Sequence, residues 1–218
     1  MQLPLPLTSA SPSSGRGGAR PGAGRPRKQG SESHRRRPTV SAAIPQHVSL
    51  RVAAGVWNLR ADRCFRPVRR ALAAAQRPAF RIVHYSVQGN HVHLLVEAAD
   101  RGALSTGLRS IAVGLAKALQ RVMGRRGRVL ASRTHARPLH TPTEVKNALR
   151  YVLLNHARHF PEGYTRGLWV DECSTAPWFA DWAALGVSQP RARSRPPAER
   201  VDAPPRSWLL SAGYRRGR

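Results

Sequence analysis

Phe80-Arg-Ile-Val-His-Tyr-Ser-Val-Gln-Gly-Asn-His-Val-His-Leu-Leu-Val-Glu-Ala98 is the stretch that decides the fold. Two runs rich in β-branched and aromatic residues, 80–88 and 91–98, flank Gly89-Asn90. Glycine at the first turn position suits a primed two-residue hairpin. The turn sets the register. Val87 falls opposite Val92, Tyr85 opposite Leu94 and Val83 opposite Val96, giving one apolar face. Gln88 with His91, Ser86 with His93, His84 with Leu95 and Ile82 with Glu97 form the other, polar face. His91 and His93 are two apart on one strand, so their side chains point the same way and can hold one metal ion. A histidine buried for packing alone belongs on the apolar face, and these two are not there.

The pattern continues on both sides of the hairpin. An extended segment at 47–52 precedes a helix near 62–76. After the hairpin, Leu104, Leu108, Ile111, Leu115, Leu119 and Val122 recur at threes and fours. They mark the buried stripe of a long helix from about 102 to 123. Lys117 and Arg121 lie on its exposed side. A short strand is expected near 128–134. Thr141, Pro142 and Glu144 then form a strong helix start: N-cap, first-turn proline and capping-box acid. Val145, Leu149, Val152 and Leu153 are that helix's apolar stripe. Tyr151 lies off the stripe, with Asn155 one turn further on the same side. The order β-α-β-β-α-β-α predicts an α+β domain, a ferredoxin-like antiparallel sheet with helices packed on one face.

The charge is extreme. The 218 residues hold 37 Lys and Arg against 11 Asp and Glu, a formal net charge of +26. The stretches 15–37 and 189–218 account for 16 of the basic and three of the acidic residues, so the remainder still carries 13 excess positive charges. Solvated tails explain the first part but not the second. A polyanion-binding surface on the folded part does. Four segments follow: a basic arm at 1–38, a folded domain at 39–160, an aromatic-rich extension at 161–188, and a Pro/Arg linker with a basic tail at 189–218. The arm and the C-terminal segment are expected to be disordered. Within the arm, Gly24-Arg-Pro-Arg-Lys28 resembles an AT-hook core, with Arg25, Arg27 and Lys28 suited to a narrow A·T minor groove. Trp169, Trp178, Phe179 and Trp182 are expected to pack over the core rather than stack on bases. Ser207-Trp-Leu-Leu210 reads as an apolar anchor.

Cys64 and Cys173 have no paired spacing, so neither a disulfide framework nor a zinc ribbon is indicated. No apolar run is long enough to span a membrane, and the first residues lack a signal-peptide pattern. A cytoplasmic protein acting on DNA is the expectation.

The string Gln88-Gly-Asn-His-Val-His-Leu-Leu-Val96 resembles the HUH motif of single-tyrosine transposases, where U is hydrophobic. Asn147-Ala-Leu-Arg-Tyr-Val-Leu-Leu-Asn155 resembles their nucleophile helix, and His47-Val-Ser-Leu-Arg-Val52 their first strand. The asparagine four residues after the tyrosine is similar to the REP-associated tyrosine transposase branch. The resemblance covers roughly positions 38–160. It implies a Mg²⁺ or Mn²⁺ site on His91, His93 and Asn155, with Tyr151 as the nucleophile. It implies a single-strand endonuclease or strand transferase that forms a 5′-phosphotyrosine and leaves a 3′-hydroxyl. Single-stranded or hairpin DNA from palindromic repeats is the implied substrate, a homodimer the implied assembly, and the nucleoid the implied location. A phenol with pKa near 10 needs help to attack at neutral pH, and His84 is a candidate helper. The alternative is a non-catalytic basic DNA- or RNA-binding protein in which Tyr151 simply packs. A zinc hydrolase fits less well, because H-E-x-x-H and a third strong ligand are missing.

Overall fold

A computed structural model describes residues 40–132, 134–159, 169–191 and 199–217. Residues Arg36–Arg218 form one compact unit. The AT-hook-like residues Arg25, Arg27 and Lys28 lie outside the described residues.

Four strands form one antiparallel sheet in the order β2-β3-β1-β4. They are β1 (Gln46–Arg51), β2 (Phe80–Val87), β3 (His91–Ala98) and β4 (His135–Pro138). Three main helices connect or cover them: α1 (Asp62–Ala75), α2 (Arg101–Met123) and α3 (Pro142–His159). The strand order is the ferredoxin-like one expected from the alternating elements. β4 sits a few residues beyond the expected stretch at 128–134. There Leu130 makes only a single bridge to Val52, and ladder pairing resumes with His135 opposite Ser49. Pro138, which has no N–H to donate, closes this edge strand.

The hairpin register follows the turn as far as His84 opposite Leu95. Strict alternation would then pair Val83 with Val96 and Ile82 with Glu97. Instead a bulge between Ile82 and His84 places Ile82 opposite Val96 and Arg81 opposite Glu97. The extra residue lets Ile82 join Tyr85, Val87, Leu94 and Val96 in one core, while Val83 turns to the other side.

Both sheet faces are therefore covered. α1 and α2 bury Val68, Leu72, Leu108, Ile111 and Leu115 against the first face. Gly107 is where α2 approaches the sheet, since a Cβ there would lie 2.2 Å from Phe80 Cγ. α3 does not join these helices on the one face expected for them. Its Val145, Leu149, Val152 and Leu153 meet Val83 and Leu95 on the opposite face. The supposedly polar face is mostly enclosed for that reason: Ser86, Gln88, His93 and Glu97 are all buried.

The C-terminal part completes this second layer. Trp182 is buried, as the packing role of the aromatic cluster predicts, and Leu185, Leu209, Leu210 and Tyr214 join it. Disorder was the expectation for 189–218, yet residues 199–217 lie on the domain. The Glu97 carboxylate accepts hydrogen bonds from the backbone N–H groups of Arg206 and Ser207 and from Ser207 Oγ, at 2.8–3.0 Å. Ser207 in turn caps the short helix α4 (Trp208–Ser211). Three buried apolar side chains, Leu209, Leu210 and Tyr214, and a satisfied carboxylate outweigh the composition bias toward disorder.

Candidate nucleic-acid cleavage site

α3 begins as its capping box predicts. The Glu144 N–H donates to Thr141 Oγ1 at 3.2 Å, and the Glu144 carboxylate accepts from the N–H groups of Thr141 and His140 at 3.1 and 2.7 Å. The bond from the His140 N–H above all, and then that from the Thr141 N–H and the nearby Arg137, hold the Glu144 carboxyl below the usual carboxylate range. With its start fixed, the helix phase is fixed. The apolar stripe turns to the sheet and Tyr151 stands half-buried at its edge.

Tyr151 meets the histidine strand there. Its Oη lies 3.3 Å from His93 Nε2, and the two rings meet edge to face with centroids 4.8 Å apart. The phenol donates to His93 when that imidazole carries its proton on Nδ1. His91 stands on the same face as His93, ring centroids 4.7 Å apart. His91 Nδ1 is 2.7 Å from Asn90 Oδ1, a contact that orients the ring and directs Nε2 away from the hairpin tip. His93 is buried, whereas His91 is only half-buried. Asn155 is buried, and its Nδ2 has no hydrogen-bond partner among the described residues. Among the described residues, no group of three or more His, Cys, Asp and Glu is placed to hold a metal.

His47 is the residue that sequence inspection overlooked. It stacks on His93 at 5.3 Å and meets the Tyr151 ring edge-on at 5.7 Å. Burial, and then the nearby Arg137 and His135, lower its pKa to about 4. It is a neutral imidazole at pH 7. The signal was present: His47, Ser49 and Arg51 alternate with buried Val48, Leu50 and Val52. Once β1 pairs with β3, that alternation puts Ser49 opposite His93 and Arg51 opposite His91. His84 is not beside Tyr151. Its Nδ1 lies 3.1 Å from Thr175 Oγ1 and its ring meets Phe179, so the C-terminal extension occupies the helper expected for the tyrosine.

A cavity of about 520 Å³ opens at this junction, lined by His47, Arg137, Asn147, Ala148, Arg150, Tyr151 and Leu154. Arg137 is paired to Glu144 at 3.0 Å, and Arg150 is exposed. Two guanidinium groups beside a phenol suit a phosphate ester. Lys117 and Arg121 are exposed on α2, in the layer across the sheet, and do not line this cavity.

Behind the site, Arg60 ties three segments together. Its guanidinium bonds both oxygens of the buried Asp171 carboxylate at 2.7 and 3.0 Å and donates to Val87 O at 2.9 Å. His156, next to Asn155 on α3, puts Nδ1 4.0 Å from the same carboxylate. Leu59 N–H bonds Gly89 O and Val52 N–H bonds Asn90 O, which pins the hairpin tip. No local pattern announces this network, since Asp171 is 111 residues from Arg60.

The chain is similar in structure to a REP-associated tyrosine transposase bound to a REP hairpin, with a TM-score of 0.53 and 18% sequence identity. The match covers 72% of this chain and 88% of that one. At that identity the likeness shows a shared fold. No protein-family model and no curated protein sequence matches the chain. Among the described residues, no helix is long and apolar enough to cross a membrane.

Proposed function

We propose that this protein is a single-strand DNA endonuclease and strand transferase that works through a tyrosine–phosphate intermediate. The observation that carries the reading is the approach of Tyr151 Oη to His93 Nε2 beside a cavity walled by Arg137 and Arg150. The fold shared with a hairpin-bound tyrosine transposase supports it, and so does the positive charge of the folded part.

His91, His93 and the Asn155 side-chain oxygen are the residues that would hold Mg²⁺ or Mn²⁺. Imidazole and amide ligands suit Mn²⁺ well and Mg²⁺ adequately. The Asn90-oriented ring of His91 is what such a site would need. When bound, the ion would offset negative charge on the scissile phosphate. The chain's own residues do the rest. Arg137 and Arg150 orient the phosphate. The neutral imidazole of His47 draws the proton from the Tyr151 phenol and returns it to the leaving oxygen. Tyr151 Oη attacks phosphorus, the O–P bond to the leaving strand breaks, and a free hydroxyl departs on that strand. The phosphotyrosine keeps the bond energy for rejoining. We propose hairpin or single-stranded DNA as the substrate, and a homodimer as the assembly.

The test is a denaturing gel of the full-length protein incubated with Mn²⁺ and labelled single-stranded and hairpin oligonucleotides. A covalent adduct mapped to Tyr151 is the expected result. Tight binding without any adduct would overturn catalysis and leave a basic nucleic-acid-binding protein.

A further inference from the structure

A second basic surface lies on α1, in the layer on the other side of the sheet from Tyr151. Arg63, Arg66 and Arg70 fall on one stripe of this helix, opposite its buried Cys64, Phe65, Val68 and Leu72. Arg66 and Arg70 are exposed and make no ion pair or side-chain hydrogen bond among the described residues. They line a cavity of about 540 Å³ with Arg69, Arg200, Glu199 and Asp202. Of the two acids, only Glu199 is exposed beside the arginines. Asp202 is turned inward, with its side chain 2% exposed, and pairs with Arg200 at 2.9 Å. The guanidinium Nε of Arg69 is buried and has no hydrogen-bond partner among the described residues.

Like charges one turn apart weaken a helix, so the fold gains nothing from keeping them side by side. An anionic ligand turns that cost into a gain. We propose that the α1 arginine face binds the phosphate backbone of a DNA duplex stem. The arginines form a line rather than a ring, which suits a linear polyanion. Arg66 and Arg70 are about 6 Å apart along the helix axis, on the scale of the separation of neighbouring phosphates of one strand. Of the aromatic rings beside them, Trp57 is covered by Arg63 at 3.7 Å and Phe65 is buried under Arg69. Among the described residues no ring on α1 is offered for stacking unpaired bases, which favours a stem over a single strand. The exposed large apolar side chains among the described residues are Val113 and Trp208, neither of them on α1, so a membrane is a poor partner.

This inference rests on the DNA-binding half of the proposed function and not on Tyr151 being a nucleophile. A ligand that engages both α1 and Tyr151 must pass round an edge of the sheet. A hairpin with a single-stranded flank can do so, and a short flank alone cannot.

Fluorescence anisotropy on the full chain separates the possibilities. The probes are a labelled hairpin whose stem spans a full helical turn with a single-stranded flank, and the labelled flank alone. The variant Arg66→Gln/Arg70→Gln is expected to bind the hairpin about tenfold more weakly, with a salt slope shallower by up to about 0.9 for each lost contact. Its affinity for the flank alone, and its Tyr151 adduct yield on the flank, are expected to stay within twofold of the parent. Arg66→Lys/Arg70→Lys is expected to recover most of the hairpin affinity. Unchanged hairpin affinity and slope would overturn the proposal, and so would an equal loss for hairpin and flank. A poly-glutamate peptide that displaces the hairpin as well as duplex DNA does would also overturn it. Failure to form any adduct would sink the catalytic reading and leave these binding results standing.

Discussion

Tyr151 and His93 meet at 3.3 Å although 58 residues separate them. Their meeting joins two elements that the chain builds independently, a hairpin strand and a capped helix. Tyr151→Phe removes only the phenolic oxygen. The ring contacts to His47 and His93 persist, so stability should change by no more than about 1 kcal/mol, the worth of one hydrogen bond. Adduct formation should fall to background. Tyr85 is buried in the first core, and Tyr214 donates its hydroxyl to Asp181 at 2.7 Å, so neither replaces the nucleophile. An adduct persisting in the Phe variant would refute the assignment.

His91 is the half-buried member of the histidine pair, so its replacement disturbs packing least. His91→Ala should abolish adduct formation while leaving hairpin affinity within about threefold, because binding comes from the dispersed arginines. EDTA should reproduce the effect in the parent protein. Undiminished cleavage by the Ala variant in EDTA would remove the metal from the mechanism.

Arg60 and Asp171 form a nearly dry pair, with side-chain exposures of 23% and 1%. Arg60→Ala leaves a buried carboxylate without its guanidinium. Denaturant unfolding at pH 7 should show a loss of about 3 kcal/mol. A change below about 0.5 kcal/mol would mean that the pair does not anchor the hairpin.

His84 is enclosed by Thr175 and Phe179, and burial first and Arg200 second lower its pKa to about 4. The unfolded chain binds a proton near pH 6.5, the native protein only near 4. Between those values the unfolded state holds the extra proton, so stability falls as pH drops and levels off below about 4. At most about 1.4 kcal/mol per pH unit comes from one such group. Urea midpoints for the parent and His84→Gln over pH 4–7 should show a shallower slope in the variant. Equal slopes would exclude His84 as the source.

Deleting residues 1–38 should weaken DNA binding and flatten its salt dependence, since eight basic residues leave with the arm. The loss in slope should be less than about 0.7–0.9 per charge removed. Adduct formation on a single-stranded oligonucleotide should survive. An unchanged slope would mean that the arm does not touch DNA.

Local chemistry made much of this molecule readable. The Gly89-Asn90 turn fixed the hairpin down to His84, and Thr141 with Glu144 fixed the phase that exposes Tyr151. Reading stopped where distant residues decide the outcome. The bulge at Val83 follows from two cores competing for one strand, and alternation alone cannot show it. The position of α3 across the sheet depends on a C-terminal cover whose composition resembles a disordered tail. His47 became visible only through the pairing of β1 with β3, and Asp171 only through Arg60.

That C-terminal cover has a consequence for how the protein is made. The stripe of Val145, Leu149, Val152 and Leu153 is sealed by Trp182, Leu185, Leu209, Leu210 and Tyr214. All five leave the ribosome after α3. A nascent chain halted before them presents the tyrosine helix on an unfinished layer. The order of synthesis thus acts as a timer, and a truncated translation product lacks the cover under which the Tyr151 helix is seated.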